Sequence, residues 1–218
     1  MEIYICDVVD QVQQALRDVP ISKFETTAEM IDAHAEVLLR EFQSKSMVAK
    51  FHISNWHLDW VGKSAEEIFA ANFSLEDCRQ TLSREFGFLN WDDVLARSEK
   101  IDHEFERCVD SVLKGDLDGV RGMLEQNPGL AKQTSSFGHR ATLLLYLGSN
   151  GVETWRQYVP MNAPEMARLL IDSGADPLAT MNVYGGQFDC VAMVESSAHP
   201  REAGIVKELV AALQANSN

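Results

Sequence analysis

Two histidines in the segment Phe51–Trp60 (FHISNWHLDW) are candidate metal ligands. His52 and His57 lie five residues apart, with Asp59 nearby. A zinc site on one helix face needs histidines four residues apart, and the sequence offers neither an HExxH motif nor a cysteine partner. We therefore predict no metal and no other cofactor, and we expect the histidines to cap an aromatic cluster. The sequence leaves open whether that cluster is core or interface.

Candidate binding residues lie in the second half of the chain. Six side chains there could contact a ligand or a partner, namely His139, Arg140, Trp155, Tyr158, Tyr184 and His199. Arg140 and His199 also have a structural interpretation, in which they bond irregular loops to backbone carbonyls. Trp155 and Tyr158 are three residues apart and can share a face. They either anchor a protein interface or fold back as a lid.

Motifs for catalysis are absent from the sequence. There is no nucleophile elbow, P-loop or GxGxxG loop, and Ser196-Ser197 near His199 lacks a third group for a triad. We predict no catalytic residue. The alternative hypothesis is a small-ligand-binding or enzymatic protein that uses His139, Arg140 and Tyr184.

Helix starts are marked by capping boxes, in which a Ser or Thr bonds to the backbone three residues later and an acidic side chain bonds back. Such patterns begin at Thr26, Ser64 and Ser74, and Asn90 starts a further helix. Apolar residues follow each start at helical spacing, and Pro20 ends a predicted helix over Val8–Val19. Residues 1–100 are therefore predicted to form one helical region, and residues 101–218 a second region.

The composition is that of an acidic globular protein. The net charge is −14 and the Lys and Arg residues are scattered singly, so nucleic acid would be repelled. No apolar run approaches the roughly 18 residues of a membrane span. The four cysteines have no CxxC spacing and fit reduced thiols. We expect a soluble cytoplasmic protein that binds neither nucleic acid nor membrane.

Two segments of the second half resemble the paired helices of an ankyrin repeat. Thr142–Gly151 (TLLLYLGSNG) follows the TPLHxAA register, with Leu143 and Leu145 in place of the usual proline and histidine. Glu165–Pro177 (EMARLLIDSGADP) resembles the second helix and its GAD turn. As a whole, Phe105–Leu213 resembles a divergent bacterial ankyrin-repeat group.

A segment of the first half carries a related resemblance. Asp77–Leu95 (DCRQTLSREFGFLNWDDVL) is similar to the helical hairpin that precedes ankyrin repeats in many bacterial proteins. Together the resemblances imply an all-α fold, in which a helical N-terminal region caps a stack of about three ankyrin-like repeats.

The spacing of these repeats is irregular. Matching positions of the second and third repeats, Thr142 and Asp189, are 47 residues apart, against about 33 in an ankyrin array. Most of the excess is an insertion over Val152–Ala163, between paired helices. In such a stack residues 138–141 and 184–188 would be neighbours at one edge, whereas His199 and Asn150 would lie at the opposite edge.

The function expected of such a stack is recognition of another protein. The predicted contact surface is the concave face with two finger loops, Phe137–Arg140 and Asn182–Phe188. The acidic charge favours a basic or neutral partner, which the sequence does not identify. Self-association through residues 1–60 is a further hypothesis, which light scattering would test.

Overall fold

The computed structural model describes residues 2–97 and 99–215, and contacts within the chain divide it into two units. The N-terminal unit comprises residues 7–101 together with 136–138, and the C-terminal unit comprises residues 2–6, 102–135 and 139–215. Helices account for most of the described residues and the strands are short, so the mostly helical fold class is as predicted. The sequence also predicts a polar tail over residues 214–218, of which residues 216–218 lie outside the described residues.

Helices build the N-terminal unit. The helices are α1 (Asp7–Leu16), α2 (Thr27–Gln43), α3 (Met47–Trp56), α4 (Ala65–Ala70), α5 (Leu75–Glu85) and α6 (Trp91–Arg97). Single 3-10 turns cover Ile21–Lys23 and Leu58–Trp60. The capping boxes predicted at Thr26, Ser64 and Ser74 are confirmed, each with both reciprocal hydrogen bonds.

The first helix is shorter than the sequence pattern suggests. It ends at Leu16 instead of continuing to Val19, because a residue that precedes proline is driven out of the helical region. The core of this unit lies where α2, α3 and α5 pack together. Ile31, Ile53 and Phe86 have no exposed surface there.

Residues 136–138 belong to the N-terminal unit although they follow α6 by almost forty positions in the chain. The ring of Phe137 packs edge-on against Phe86, with ring centroids 4.9 Å apart. Gly138 lies so close to the backbone of Gly87 that a side chain would not fit between them. These contacts fix the segment to the end of α5.

The C-terminal unit contains seven more helices and four short strands among its described residues. The helices are α7 (His103–Leu113), α8 (Leu117–Gln126), α9 (Leu143–Tyr146), α10 (Ala163–Asp172), α11 (Cys190–Ser196), α12 (Ala198–Glu202) and α13 (Val206–Gln214). The strands are β1 (Ile3–Tyr4), β2 (Val159–Pro160), β3 (Thr180–Val183) and β4 (Gly186–Asp189). Further 3-10 turns cover Pro128–Lys132 and Thr154–Arg156.

The longer helices of this unit form two rows. In one row α9 packs against both α7 and α11, and in the other α10 packs against both α8 and α13. The hairpin of β3 and β4 connects α10 to α11. A backbone hydrogen bond of 2.9 Å, from the Asn182 amide to the His139 carbonyl, links this hairpin to the preceding loop.

The helix predicted to run from Thr142 to Gly151 is a single turn in the structure. After Tyr146 the chain follows tight turns, with positive φ angles at Ser149 and Gly151. The sequence here lacks the ankyrin proline and histidine, and the Thr142 hydroxyl has no hydrogen-bond partner among the described residues. Apolar packing holds the turn instead, since Leu143, Leu144 and Leu145 are all buried.

We expect Gly138→Ala to destabilise the protein by about 1–3 kcal/mol, because it overpacks a rigid contact. The added Cβ would lie 2.4 Å from the carbonyl carbon of Gly87 and 2.6 Å from the nitrogen of Phe88. Urea denaturation measures the change in the free energy of unfolding.

Gly122→Ala is the matched control. Gly122 lies inside α8, and a Cβ there meets nothing within 4 Å. This variant should be more stable than the native chain by roughly 0.5–1 kcal/mol. Equal effects at the two glycines would contradict the close approach at Gly138.

Candidate functional site

A cluster of buried charges in the C-terminal unit is built around Arg156. Its guanidinium donates to the Glu106 carboxylate at 2.5 Å and to the Asp110 carboxylate at 2.8 Å. Glu153 lies 3.7 Å away, and the guanidinium carbon sits 5.6 Å from the centre of the Tyr146 ring. The Arg156 side chain is 1% exposed, so protein groups take the place of water around its charge.

Separate elements bring these groups together. Glu106 and Asp110 are four residues apart on α7, which places them on one helix face. Tyr146 ends α9, and its hydroxyl donates to Glu153 at 3.1 Å. The 3-10 turn Thr154–Arg156 delivers the arginine from the inserted segment. The cluster therefore joins the insertion to two helices.

His139 approaches the same carboxylate from the loop before α9. The amide of Ala141 donates to Nδ1 of His139 at 3.0 Å, so this nitrogen has to be the acceptor. In the neutral ring the proton then sits on Nε2, which lies 3.5 Å from Oε1 of Glu153. His139 is fully buried.

Three carboxylates face one guanidinium, and the pKa values of Glu106 and Glu153 are shifted in opposite directions. Burial raises the pKa of Glu106 from 4.5 to about 7; the charge of Arg156 opposes this rise, and the charges of Glu153 and Asp110 add to it. Burial also acts to raise the pKa of Glu153, but the His139 hydrogen bond and the Arg156 charge outweigh it and leave this pKa below 4.5. Burial thus favours the protonated form of Glu106, which holds its proton at pH values below about 7.

Glu106, Glu153 and Arg156 are buried and the Asp110 side chain is 40% exposed, so the cluster lies mostly inside the unit and its visible consequence is structural. The inserted segment is also bound at other points: Gln157 donates to the Val152 carbonyl at 2.6 Å, and Ser149 donates to the Tyr158 carbonyl at 2.8 Å. Its last residues, Val159–Pro160, pair antiparallel with Ile3–Tyr4. The insertion is therefore a folded part of the C-terminal unit.

The accessible candidate site is the hairpin of β3 and β4, which we term the finger hairpin (Thr180–Asp189). Tyr184 and Gly185 form its turn and both have positive φ, as a type I′ turn requires. Met181 and Val183 are buried, whereas Thr180 and Asn182 are exposed. The hairpin thus packs one face on the protein and presents the other.

Aromatic side chains remain accessible on the finger hairpin. Tyr184 is 59% exposed and Phe188 is 37% exposed. The Tyr184 hydroxyl donates to the Asn150 side chain at 2.8 Å, which restrains the ring although it is largely in solvent. This surface combines exposed apolar area with a fixed backbone.

The structure separates the six predicted binding residues into buried and accessible groups. His139 and Tyr158 are buried, Arg140, Trp155 and His199 are half-buried, and Tyr184 is exposed. Tyr158 is buried, and the Arg156 guanidinium lies 5.9 Å from the centre of the Trp155 ring. Both positions agree with the interpretation of the insertion as a lid.

Arg140 has the role that its structural interpretation expects. Its guanidinium donates to the Ser135 carbonyl at 3.3 Å, and Arg140 itself has a positive φ of 56°. His199 lies on α12, and burial lowers the pKa of its imidazole. Of the predicted finger loop Phe137–Arg140, residues 137–139 are buried and leave little surface for a partner.

The prediction that Tyr184 and Asn150 lie at opposite edges is wrong, because their side chains are hydrogen-bonded. The reason is the single turn of α9: the chain leaves the helix early, and Asn150 stays beside the finger hairpin. An added Cβ at Gly151 would meet the Val183 side chain at 2.8 Å, which shows how closely the loop and hairpin approach. Asn150 also donates to the Ser196 hydroxyl at 3.1 Å.

The histidine pair of the N-terminal unit has internal partners. Nδ1 of His52 lies 2.6 Å from the Glu85 carboxylate, and both side chains are buried. His57 packs against Phe73 with ring centroids 5.2 Å apart and accepts a hydrogen bond from the Asp59 amide. Over residues 2–97 and 99–215, no three His, Cys, Asp or Glu side chains are grouped to hold a metal ion.

The sequence did not lead us to predict the charged residues of the buried cluster. Glu106 falls between Phe105 and Cys108, on the apolar face of its helix, and that position was the available signal. Glu153 and Arg156 lie in the insertion, where no periodicity indicates burial. The partners of Arg156 on α7, Asp110 and Glu106, are 46 and 50 residues away along the chain.

In comparisons with known proteins, the chain matches no family model, no curated protein and no solved structure. Among the described helices, none has the length and apolar character needed to cross a membrane.

Replacing Arg156 tests how much the cluster stabilises the fold. We expect Arg156→Met to lower the free energy of unfolding by about 3–5 kcal/mol, because it leaves buried carboxylates without their cation. Arg17→Met is the control, since the Arg17 side chain is 77% exposed beside Asp18; a change within about 0.5 kcal/mol is expected there. Urea denaturation measures both variants. Similar losses in the free energy of unfolding would show that the cluster stabilises the fold no more than an exposed ion pair does.

The protonation of Glu106 makes stability depend on pH. Between pH 4.5 and about 7 the folded chain keeps a proton that the unfolded chain releases, so this residue's contribution to stability falls as pH rises through that window. The slope reaches about 1.4 kcal/mol per pH unit where the difference is one proton.

Glu106→Gln removes this titration while it keeps the shape of the protonated acid. The stability of the variant relative to the native protein should therefore increase from pH 5 to pH 8, as measured by thermal unfolding at each pH. Burial lowers the pKa of His57 and of His199, but both proteins carry these groups and the comparison cancels them. Parallel pH profiles would rule out a proton on Glu106.

Proposed function

We propose that this chain is a protein-recognition module, and that its C-terminal unit is a divergent ankyrin-type stack which binds a partner through the finger hairpin. The observation that carries the proposal is the exposure of Tyr184 and Phe188 on a rigid, hydrogen-bonded hairpin.

The arrangement of helices supports the ankyrin-type part of this proposal. An ankyrin repeat consists of a turn and two helices, and successive repeats stack like on like. Here α7, α9 and α11 form one row and α8, α10 and α13 the other. The hydrogen bond from the Asn182 amide to the His139 carbonyl joins two successive loops, as stacked repeats would require.

The finger hairpin is suited to binding because its backbone and the Tyr184 ring are already ordered before a partner arrives. Tyrosine is favoured at binding hot spots because it combines a large apolar ring with a polar tip. The Tyr184 ring is already held through Asn150, and the type I′ turn fixes the backbone below it. Side chains that are ordered before binding lose less entropy when a partner arrives.

Charge limits the class of partner. The net charge of −14 raises the encounter rate with basic proteins and lowers it with acidic ones. We therefore propose a partner with a basic or neutral surface. Cys78, Cys108 and Cys190 are buried free thiols, which suit a reducing compartment, so we propose that recognition takes place in the cytoplasm.

The alternative of a ligand-binding or enzymatic site at His139, Arg140 and Tyr184 gains no support from the geometry. His139 is buried against Glu153, and Arg140 bonds to a backbone carbonyl. Tyr184 points its hydroxyl at Asn150. The three side chains thus have different partners in these contacts.

The proposal is tested by affinity capture with the native chain, with Tyr184→Ala and with the control Leu89→Ala. Leu89 is 71% exposed in the N-terminal unit and lies outside the finger hairpin. We expect at least one protein to bind the native chain and the Leu89 variant equally and the Tyr184 variant about tenfold more weakly, which corresponds to about 1.4 kcal/mol.

The captured protein is then purified, and its affinity for all three chains is measured by calorimetry. The proposal is overturned if every captured protein binds the Tyr184 variant as tightly as the native chain.

A further inference from the structure

The two edges of the finger hairpin differ in their hydrogen bonding. In a hairpin with a two-residue turn, the residues that flank the turn bond to each other, and the pattern alternates from there. Val183 pairs with Gly186 and Met181 with Phe188 in this way, so the backbone groups of Asn182 and Gln187 point away from the hairpin. The Asn182 amide confirms this geometry, since it donates outward to His139.

The outer edge, along β4, is open at the corresponding position. In the described part of the chain β4 pairs with β3 alone, and the backbone N–H and C=O of Gln187 have no hydrogen-bond partner. Exposed edges are usually protected by lysine or proline, yet β4 (Gly-Gln-Phe-Asp) contains neither. The edge can therefore accept another strand.

The side chains beside this edge indicate what kind of strand would fit. Phe188 pairs with the buried Met181, so it lies on the face that packs on the protein, where its ring is still 37% exposed. Gln187 and Asp189 lie on the face that the hairpin presents. Residues 176–196 contain the acidic side chains Asp176, Asp189 and Glu195 and no Lys or Arg. A strand placed here would set its side chains alternately beside the Phe188 ring and beside the Asp189 carboxylate, which also accepts a hydrogen bond from the Ala192 amide as the N-cap of α11.

We propose that the partner binds by adding an extended segment to β4 as a third strand, and that this segment alternates apolar residues with lysine or arginine. The inference rests on the proposed recognition function and specifies its chemistry. The apolar side chains pack beside Phe188 and Tyr184, while the basic ones face Asp189. A second copy of this chain is the wrong occupant, because it would bring the same acidic residues against themselves.

The probe for this inference is a hexapeptide of alternating valine and lysine, titrated into the isotope-labelled full chain and followed by NMR. The amide signals of residues 186–189 should shift, and exchange of the Gln187 amide proton should slow. A hexapeptide of alternating valine and glutamate should bind about tenfold more weakly or not at all.

Two variants at one position separate backbone pairing from side-chain contact. Gln187→Pro removes the outward N–H but spares the amides that bond to β3, whereas Gln187→Ala keeps the backbone donor. We expect the proline variant to bind the lysine peptide about fivefold more weakly or worse, and the alanine variant to bind it as the native chain does. Unchanged exchange of the Asn182 amide shows that the hairpin is intact in both.

Strand addition is overturned if the peptide does not bind at millimolar concentration, if the shifts lie elsewhere, or if Gln187→Pro binds normally. Its failure is distinct from failure of the recognition function. A captured partner that depends on Tyr184 but tolerates Gln187→Pro leaves recognition standing and removes strand addition, whereas capture that is independent of Tyr184 removes the proposed function itself.

Discussion

A guanidinium group without water around it has to be surrounded by protein oxygens, and this requirement organises the C-terminal unit. Arg156 meets it through Glu106 and Asp110 on α7, with Glu153 close by. Because a buried carboxylate is as costly as a buried cation, the cluster is stable only when the insertion, α7 and α9 are all in position. The extra chain between the paired helices is thereby an integral part of the unit.

This constraint also explains how a repeat with a shortened first helix keeps its place. The single turn of α9 offers few intrahelical hydrogen bonds. Tyr146, at its end, bonds to Glu153 and packs against Arg156. The polar cluster therefore compensates for the hydrogen bonds that a longer α9 would have made. Because α9 ends at Tyr146, the following loop places Asn150 beside the finger hairpin. The orientation of the exposed Tyr184 ring depends on that loop.

The sequence is most informative where a structure is decided by neighbouring residues. The capping boxes at Thr26, Ser64 and Ser74 each join residues three positions apart, and all three form as predicted. The finger loop around Tyr184 was placed from the ankyrin register of the segment that follows it. Its strands were too short to identify by alternation, and its approach to Asn150 depends on how far α9 extends.

Pairings over long distances along the chain could not be predicted. Arg156 finds Glu106 across 50 residues, and no local pattern encodes that choice. The burial of His139 likewise follows from the position of Glu153, which belongs to an insertion without periodicity. The sequence therefore indicates which residues are unusual, whereas the assignment of each to core or surface requires the packed structure.

The segment 136–138 has a consequence for the order in which the protein is made. Phe137 completes the packing around Phe86, so the N-terminal unit cannot finish folding on the ribosome when residue 101 has emerged. It has to wait until some forty further residues have been synthesised and have left the exit tunnel. Conversely, Ile3 and Tyr4 are made more than 150 residues before the segment with which they pair, Val159–Pro160. During translation both units are incomplete for much of the time, and a fragment cut at residue 101 would lack a part of its own core.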